Sequence, residues 1–360
     1  MRKELLAVSG LGEDQLGRWR ELAAAASEPN PFFEPEFVLP AARALGASPG
    51  LLVATGPGGE WAGAVPVVRR RGWHRLPLRA LVAWRHLYSF YGAPLLRAGL
   101  EREALACWLG AGDPAPRPLL GLDLLDAEGP ARAALEEAAA ETGRAVVVFE
   151  RHERAALRRH DGNLDLGPSP KRRRENARLG RRLGDALGAE LQAVDRGGDP
   201  AAVEDFLRLE ASSWKGATGT AMDCDPAHAR LLREACDGFR RLGRLQMPCL
   251  EAGGTVAAVK CNLLAGDTVF CFKTSFDESL GEFSPGVQLE RALVDQVDDE
   301  RRIELIDTCA EAHNEMANRV WPGRRRIVSL AVPHPGARGT LAGLAVRGLA
   351  ITRQKIRRSP

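Results

Sequence analysis

The chain has 360 residues, 45% hydrophobic and 27% charged, which suits two packed domains and excludes a disordered or low-complexity protein. Fifty Lys/Arg against forty-seven Asp/Glu leave +3, too small a bias for bulk attraction to nucleic acid or membrane. The opening residues, MRKELLAVSGLGEDQLGRWRELAAAA, mix acidic and basic side chains where a secretory leader needs an unbroken apolar run. Nowhere do about 18 apolar residues run uncharged, so the expectation is a cytoplasmic chain without a membrane span. Seven cysteines (Cys107, Cys224, Cys236, Cys249, Cys261, Cys271, Cys309) form no CxxC pair, and several lie in apolar runs. They read as buried free thiols, and no metal site or disulfide framework is expected.

In chain order, an apolar run at 51–55, the turn Gly56-Pro57-Gly58-Gly59 and a second run at 61–68 predict a β-hairpin. An aromatic strand at 87–91, a break at Gly92 and Pro94, a helix at 101–109, a strand at 119–125, a helix at 130–142 and a strand at 145–150 follow. About 195 residues later the order returns: runs at 247–251 and 256–264 about Gly253-Gly254, a strand at 268–274, a break at Gly281, Pro285 and Gly286, a helix at 287–297, a strand at 303–309, a helix at 314–320 and a strand at 326–332. Six successive elements keeping their order argue for duplication. The reading is two α/β halves of one topology, 1–150 and 151–335, then a basic tail, 336–360, frayed at its end.

Charge is unevenly spread. Residues 151–182 hold eleven Arg/Lys against four Asp/Glu, a balance of +7, concentrated in Lys171-Arg172-Arg173-Arg174 and Arg178, Arg181 and Arg182 on a helix entered through Ser169-Pro170. This helix is either a solvated face or a grip for a phosphate-bearing ligand. Residues 277–311 carry eleven Asp/Glu against three Arg, a stretch able to partner the basic helix or to repel anions.

Two segments suit a site. Strand 269–274 leads through Asp277 to Ser284-Pro285-Gly286-Val287, where Ser284 is placed as an N-cap and Pro285 at the first helical position. Such a helix start suits a pyrophosphate or a developing oxyanion. A helix from about 201 to 214 breaks at Gly216 and Gly219, setting Trp214 and Lys215 at an element end beside a small-residue loop, as in a pocket wall.

The ordered set of Trp214-Lys215-Gly216, Gly219-Thr220-Ala221, Phe272-Lys273-Thr274 with Asp277, Ser284-Pro285-Gly286 and a strand ending in Asp307 resembles the acetyltransferase domain of cellulose-biosynthesis (CelD-type) proteins, within the GNAT superfamily. The opening motif Asn30-Pro31-Phe32-Phe33-Glu34-Pro35-Glu36-Phe37 extends the resemblance over most of the chain. The chain is also similar to Fem aminoacyltransferases, which are tandem GNAT-like folds. The resemblance implies an α/β (α+β) architecture of two tandem GNAT-like domains, each a mixed central sheet flanked by helices.

It further implies an N-acyltransferase with acyl-CoA (acetyl-CoA) or a carrier thioester as co-substrate, and an amine of a sugar, lipid or small molecule as acceptor in envelope or exopolysaccharide biosynthesis. The donor would lie along 270–274, with its phosphates at Ser284, Pro285, Gly286 and Val287, and Arg172 and Arg173 nearby. Asn314 and Trp321 would contact the leaving group. The family's usual Gln/Arg-x-x-Gly-x-Gly/Ala loop is replaced here by Ser284-Pro285-Gly286, which keeps aminoacyl-tRNA open as donor.

Direct attack on the thioester is the economical mechanism, since no Ser/His/Asp or Cys/His constellation stands in recognisable context. Asp277 is the first candidate for proton acceptor or amine anchor, with Glu210 and Asp307 behind it; Asp307 fits an N-cap equally well. Lys273 would hold a phosphate or a carboxylate. Trp214, Lys215, Phe272 and His313 would line the substrate, although a lone histidine is commonly structural. A third reading is a non-catalytic protein whose basic helix docks on an anionic membrane.

Overall fold

The computed structural model describes residues 1–74, 76–110, 118–160, 163–164, 170–299 and 302–358. The chain begins with β1 (Arg2–Ala7), α1 (Glu13–Ala24), α2 (Pro35–Ala44), β2 (Gly50–Thr55), β3 (Trp61–Arg70), β4 (Ala80–Ala83), β5 (Leu95–Leu96), α3 (Glu101–Leu109), β6 (Leu119–Asp126), α4 (Pro130–Glu141) and β7 (Val147–His160). It continues with β8 (Asn163–Leu164), α5 (Pro170–Leu187), β9 (Gln192–Asp195), α6 (Ala201–Ser212), α7 (Trp214–Ala217), α8 (Pro226–Arg241), β10 (Leu245–Gln246), β11 (Pro248–Ala252), β12 (Thr255–Ala265), β13 (Thr268–Phe276), α9 (Pro285–Asp299), β14 (Leu305–Asp307), α10 (Glu315–Val320), β15 (Gly323–Pro333) and α11 (Ala337–Arg358). Two compact units form, one of Met1–Ala42, Gly46–Glu153 and Arg326–Pro360, the other of Arg43–Leu45 and Arg154–Arg325.

In the first unit the strands run β1-β2-β3-β4-β6-β15, antiparallel except for the parallel pair β4/β6. The β2/β3 hairpin turns where expected, with Gly59 at φ 86° closing it. Trp73, Val82, Leu119, Phe149 and Ala331 pack with Ala342 and Val346 of α11 into one core.

Two expectations are corrected in this unit. The aromatic run 87–91 is no strand: Tyr88 and Tyr91 turn inward, Leu87 is exposed, and the Tyr91 hydroxyl bonds buried Glu28. The strand role falls to β4, whose short apolar run pairs with β3. Residues Ala337–Arg358 of the expected tail form α11, in which Ala342 and Val346 are a face to bury, and the last two residues of the segment expected to fray lie outside the described residues. The strand assigned by sequence to the close of the second half, β15, pairs through Ile327–Pro333 with β6 of the first unit.

In the second unit the order is β7-β14-β13-β12-β11-β9, again antiparallel except for β13/β14, which α9 connects as a crossover. Leu157, Val269, Leu293, Ile306 and Trp321 fill one core, and Leu183, Leu250, Ala257 and Leu289 fill another beneath α5 and α9. Both units are therefore mixed α/β layers with helices on a mixed sheet. Among the described residues no helix is long and apolar enough to cross a membrane.

Candidate functional site

The parallel pairing of β13 with β14 stops at Phe270 opposite Asp307, while β13 runs on to Phe276. The two strands therefore part at Cys271, and the register between β13 and β12 slips at the same place, Cys261 facing Lys273 and Asn262 facing Cys271, so that Phe272 is the bulged residue. A bulge re-aims the side chains that follow it. Lys273 is turned toward α6, where Glu210 waits.

Glu210 is fully buried. Its Oε1 accepts from the Lys273 ammonium at 2.9 Å and the Lys215 ammonium at 3.1 Å, and its Oε2 accepts from the Met222 N–H at 2.9 Å. Burial alone would push this carboxyl up, but Lys273, the Met222 amide and Lys215 together outweigh it and hold it below the usual range. Lys273 is the complement: burial lowers its pKa more than Glu210 raises it. The trio carries one positive charge in excess, with the two lysine side chains 15% and 27% exposed.

Backbone geometry explains why Lys215 reaches this carboxylate. Helix α6 ends at Ser212, and Ser213 accepts from the Lys215 N–H to start α7. At Gly216 a Cβ would lie 1.7 Å from the Ala211 carbonyl oxygen, so only glycine lets the two helices meet this closely. The Lys215 carbonyl then accepts from the Thr220 and Ala221 N–H groups at 2.7 and 3.1 Å, closing the loop expected from its glycines. Trp214 stands 60% exposed beside this junction, its N–H shared between both Glu278 oxygens at 3.1 Å.

Asp277 follows β13 and accepts from both the N–H and hydroxyl of Ser279 through Oδ1, at 2.9 and 2.6 Å. Farther along, Ser284 adopts a left-handed backbone (φ 53°), and its carbonyl accepts from Val287 and Gln288 at 3.0 and 3.1 Å as α9 begins. Ser284 enters the helix through its carbonyl, and its side chain shows no N-cap bond; the Val287 N–H is engaged within the chain and Pro285 has none. At Gly286 a Cβ would find only the Phe276 ring, at 3.5 Å, so the backbone there is open to approach.

Ser284 just before α9 and Val287 and Arg291 on it, spaced three and four residues apart, line a cavity of about 420 Å³ with Glu175 and Asn176 of α5 and Glu315, Met316 and Arg319 of α10. Arg291 and Arg319 bring guanidiniums to this cavity and Glu175 and Glu315 bring carboxylates, so its wall is mixed in charge; the cationic side chains expected near the donor phosphates were Arg172 and Arg173. Those two lie on α5, and their side chains fall outside the described residues. Elsewhere on α5, Arg178 pairs with Glu175 at 2.6 Å, and Arg182 pairs with Glu282 at 3.1 Å and lies over the Phe283 ring. The basic helix does meet the acidic stretch.

Three further candidates have partners within the fold. Asp307 is wholly buried between the Arg154 and Arg325 guanidiniums, the latter at 2.7 Å, and accepts from the Cys309 N–H at 2.9 Å. Burial pushes its carboxyl up, yet Arg154 and Arg325 hold it below the ordinary value. With no face toward solvent it is a lock in the fold, which corrects its assignment as a proton acceptor. His313 is 85% exposed and pairs with Glu311 at 3.1 Å, a surface contact and not a substrate wall. The Asn314 side-chain oxygen caps α10 by accepting from the Ala317 N–H at 2.9 Å.

The sequence reading missed a buried pair. Lys260 of β12 and Glu290 of α9 meet through both carboxylate oxygens, at 2.7 and 2.6 Å, with Trp321 beside the ammonium at 5.8 Å. Burial lowers the Lys260 pKa, but Cys271 and Glu290 raise it overall, while burial pushes the Cys271 thiol up to about 12. A lysine within the apolar run 256–264 opposite a glutamate on the next helix was its signal. Among the described residues no group of His, Cys, Asp or Glu is arranged to hold a metal ion.

Residues 171–315 match the family model described as an acetyltransferase (GNAT) domain. No curated protein matches. Among solved structures, the chain is similar to FemX (TM-score 0.58, 10% identity, 92% of this chain and 97% of that one). It is also similar to a conserved protein of unknown function from Bacteroides thetaiotaomicron (0.53, 13%, 89% and 97%). A third likeness is to the C-terminal domain of a putative lysylphosphatidylglycerol synthetase from Agrobacterium fabrum (0.52, 11%, 91% and 93%). At such identities the structural likeness is one of fold. The chain shares the fold of these structures, and the acetyltransferase (GNAT) match is confined to residues 171–315.

Proposed function

We propose that the protein is an N-acyltransferase that moves an acyl group from a CoA or carrier thioester to an amine of a sugar, lipid or small-molecule acceptor by direct attack. The observation that carries this reading is the parting of β13 from β14 beyond Phe270, with the Glu210–Lys273–Lys215 cluster alongside. A strand edge without its parallel neighbour suits the extended, amide-bearing arm of such a donor, whose phosphates would face Ser284, Arg291 and Arg319 in the cavity at the start of α9, with Glu175 and Glu315 on the same wall.

In the reaction the acceptor amine attacks the thioester carbonyl, the C–N bond forms, the C–S bond breaks and the thiolate leaves. The amine must lose a proton and the tetrahedral oxyanion must meet a donor. Asp277 keeps Oδ2 for the incoming ammonium, since both Ser279 donors go to Oδ1. Lys273, held in place by Glu210, supplies positive charge to the oxyanion or to an acceptor carboxylate. Trp214 forms an exposed apolar wall. The resemblance to CelD-type proteins supports an acceptor from envelope or exopolysaccharide chemistry.

The test is amine-dependent thiol release from a panel of acyl-CoAs with saturable acyl-CoA binding; absence of both removes the reading. An aminoacyl-tRNA donor is the second reading, favoured by the likeness in fold to FemX and by exposed Arg174 and Arg181 on α5. It requires tRNA binding that weakens steeply with salt.

A further inference from the structure

Helix α11 leaves a second face unexplained by the first unit's core. Ala342 and Val346 are fully buried and Leu349 and Ala350 pack partly beside them. On the opposite side Leu341, Leu344 and Ile351 are 66%, 59% and 55% exposed, and Gly348 lies exposed among them. The spacing 341, 344, 348, 351 advances by three, four and three residues, which keeps all four on one stripe of a helix turning about 100° per residue. Three of the eight exposed large hydrophobics among the described residues therefore stand in one row.

The charge around that row has one sign. The α11 sequence contains no Asp or Glu, and exposed Arg338 and Arg347 flank the row on its two sides. Arg347 and Leu344 also border a cavity of about 250 Å³ lined by Arg144, His334 and Thr340, with no acidic side chain in its wall. Apolar side chains at the crest, arginines on the shoulders and a basic hollow beside them match a surface that is apolar below and anionic at its face. A second copy of the same helix would bring arginine against arginine with no acid to offset them, so the charge pattern selects against self-association.

We infer that α11 is a peripheral membrane-docking helix, which seats Leu341, Leu344 and Ile351 at the headgroup–acyl boundary of an anionic phospholipid bilayer with Arg338 and Arg347 on the lipid phosphates. The inference is independent of which acyl donor the second unit uses. It differs from docking through the basic helix α5, whose Arg178 and Arg182 are paired with Glu175 and Glu282.

The experiment is co-sedimentation of the full chain with vesicles of phosphatidylcholine containing phosphatidylglycerol, and with vesicles of phosphatidylcholine alone. Binding is expected to the first and not to the second, and to weaken with salt. The double variants Leu341→Ser/Leu344→Ser and Arg338→Glu/Arg347→Glu should each lower the partition coefficient roughly tenfold or more. Their thermal unfolding should stay unchanged, because every altered side chain is exposed. Acyl-CoA binding, if present in the parent, should persist in both variants, so failure of docking and failure of the proposed transfer are read separately. The inference is overturned if the parent ignores anionic vesicles, if both variants bind as the parent does, if Arg174→Glu/Arg181→Glu on α5 alone abolishes binding, or if the row instead holds a salt-stable dimer that Leu341→Ser/Leu344→Ser separates.

Discussion

Replacing Glu210 by Gln tests the polar cluster at its centre. The substitution is nearly isosteric and keeps an oxygen to accept from the Met222 N–H, but it removes the one negative charge shared by Lys273 at 2.9 Å and Lys215 at 3.1 Å. Breaking a buried ion pair from one side costs ~3–5 kcal/mol, because the partner stays buried and uncompensated. The lysine side chains are 15% and 27% exposed, so water reaches both and the lower end, about 3 kcal/mol, applies. For a chain of 360 residues, at about 2.1 cal/mol/K of unfolding entropy per residue, that is a fall in Tm of roughly 4 °C. Urea titration of Glu210→Gln, Lys273→Met and the double variant gives the coupling directly. The double variant should be less destabilised than the sum of the singles by at least about 1 kcal/mol, since it removes the orphaned ammonium as well. A Glu210→Gln protein within about 0.5 kcal/mol of the parent, or strictly additive singles, would refute the reasoning.

Asp307→Asn should cost about 3–5 kcal/mol in the same titration, because Arg154 and Arg325 stay buried facing a neutral amide. Gly216→Ala should destabilise by about 1–3 kcal/mol and diminish transfer, since its Cβ would meet the Ala211 carbonyl oxygen at 1.7 Å; wild-type stability would show that the loop relaxes freely. Burial pushes His86 down to about 4 from an ordinary 6.5. The unfolded chain thus takes a proton that the folded chain refuses, and stability falls as pH drops from 6.5 toward 4, by about 3 kcal/mol. His86→Phe should remove this part of the acid sensitivity, and an unchanged pH profile would contradict the assignment. For Glu210 and Asp307 the folded carboxyls titrate below their unfolded range, so their contribution is full above about pH 4 and is lost as pH falls through the folded values.

Local patterns were legible where one element determines its own outcome. Helix α3 and the two hairpins follow from apolar spacing and glycine turns, whereas the break expected at Gly216 and Gly219 comes earlier, at Ser213 between α6 and α7. Lys215, Lys273 and Glu210 were each picked out separately, and the structure joins them through a bulge at Phe272 that no periodicity announces. Partners distant in sequence were invisible. Asp307 at a strand end read equally well as a base or a cap, and only the fold brings Arg154 and Arg325 onto it. The aromatic run 87–91 had strand composition, yet the inward pull of Tyr88 and Tyr91 outweighed propensity. In α11 the basic residues dominated the sequence reading and concealed the alternation of buried Ala342 and Val346 with exposed Leu341 and Leu344.

The proposed transfer requires a donor seated where β13 leaves β14, next to Lys273. The most direct measurement is release of free thiol from acyl-CoA by the parent protein and by Lys273→Met, with and without a primary amine acceptor. Saturable acyl-CoA binding is expected of both proteins, with amine-dependent release by the parent that falls at least tenfold in kcat for Lys273→Met, about 1.4 kcal/mol in the barrier. Equal release by the two proteins would contradict the role of Lys273, and no binding of any acyl-CoA by the parent would contradict the central claim.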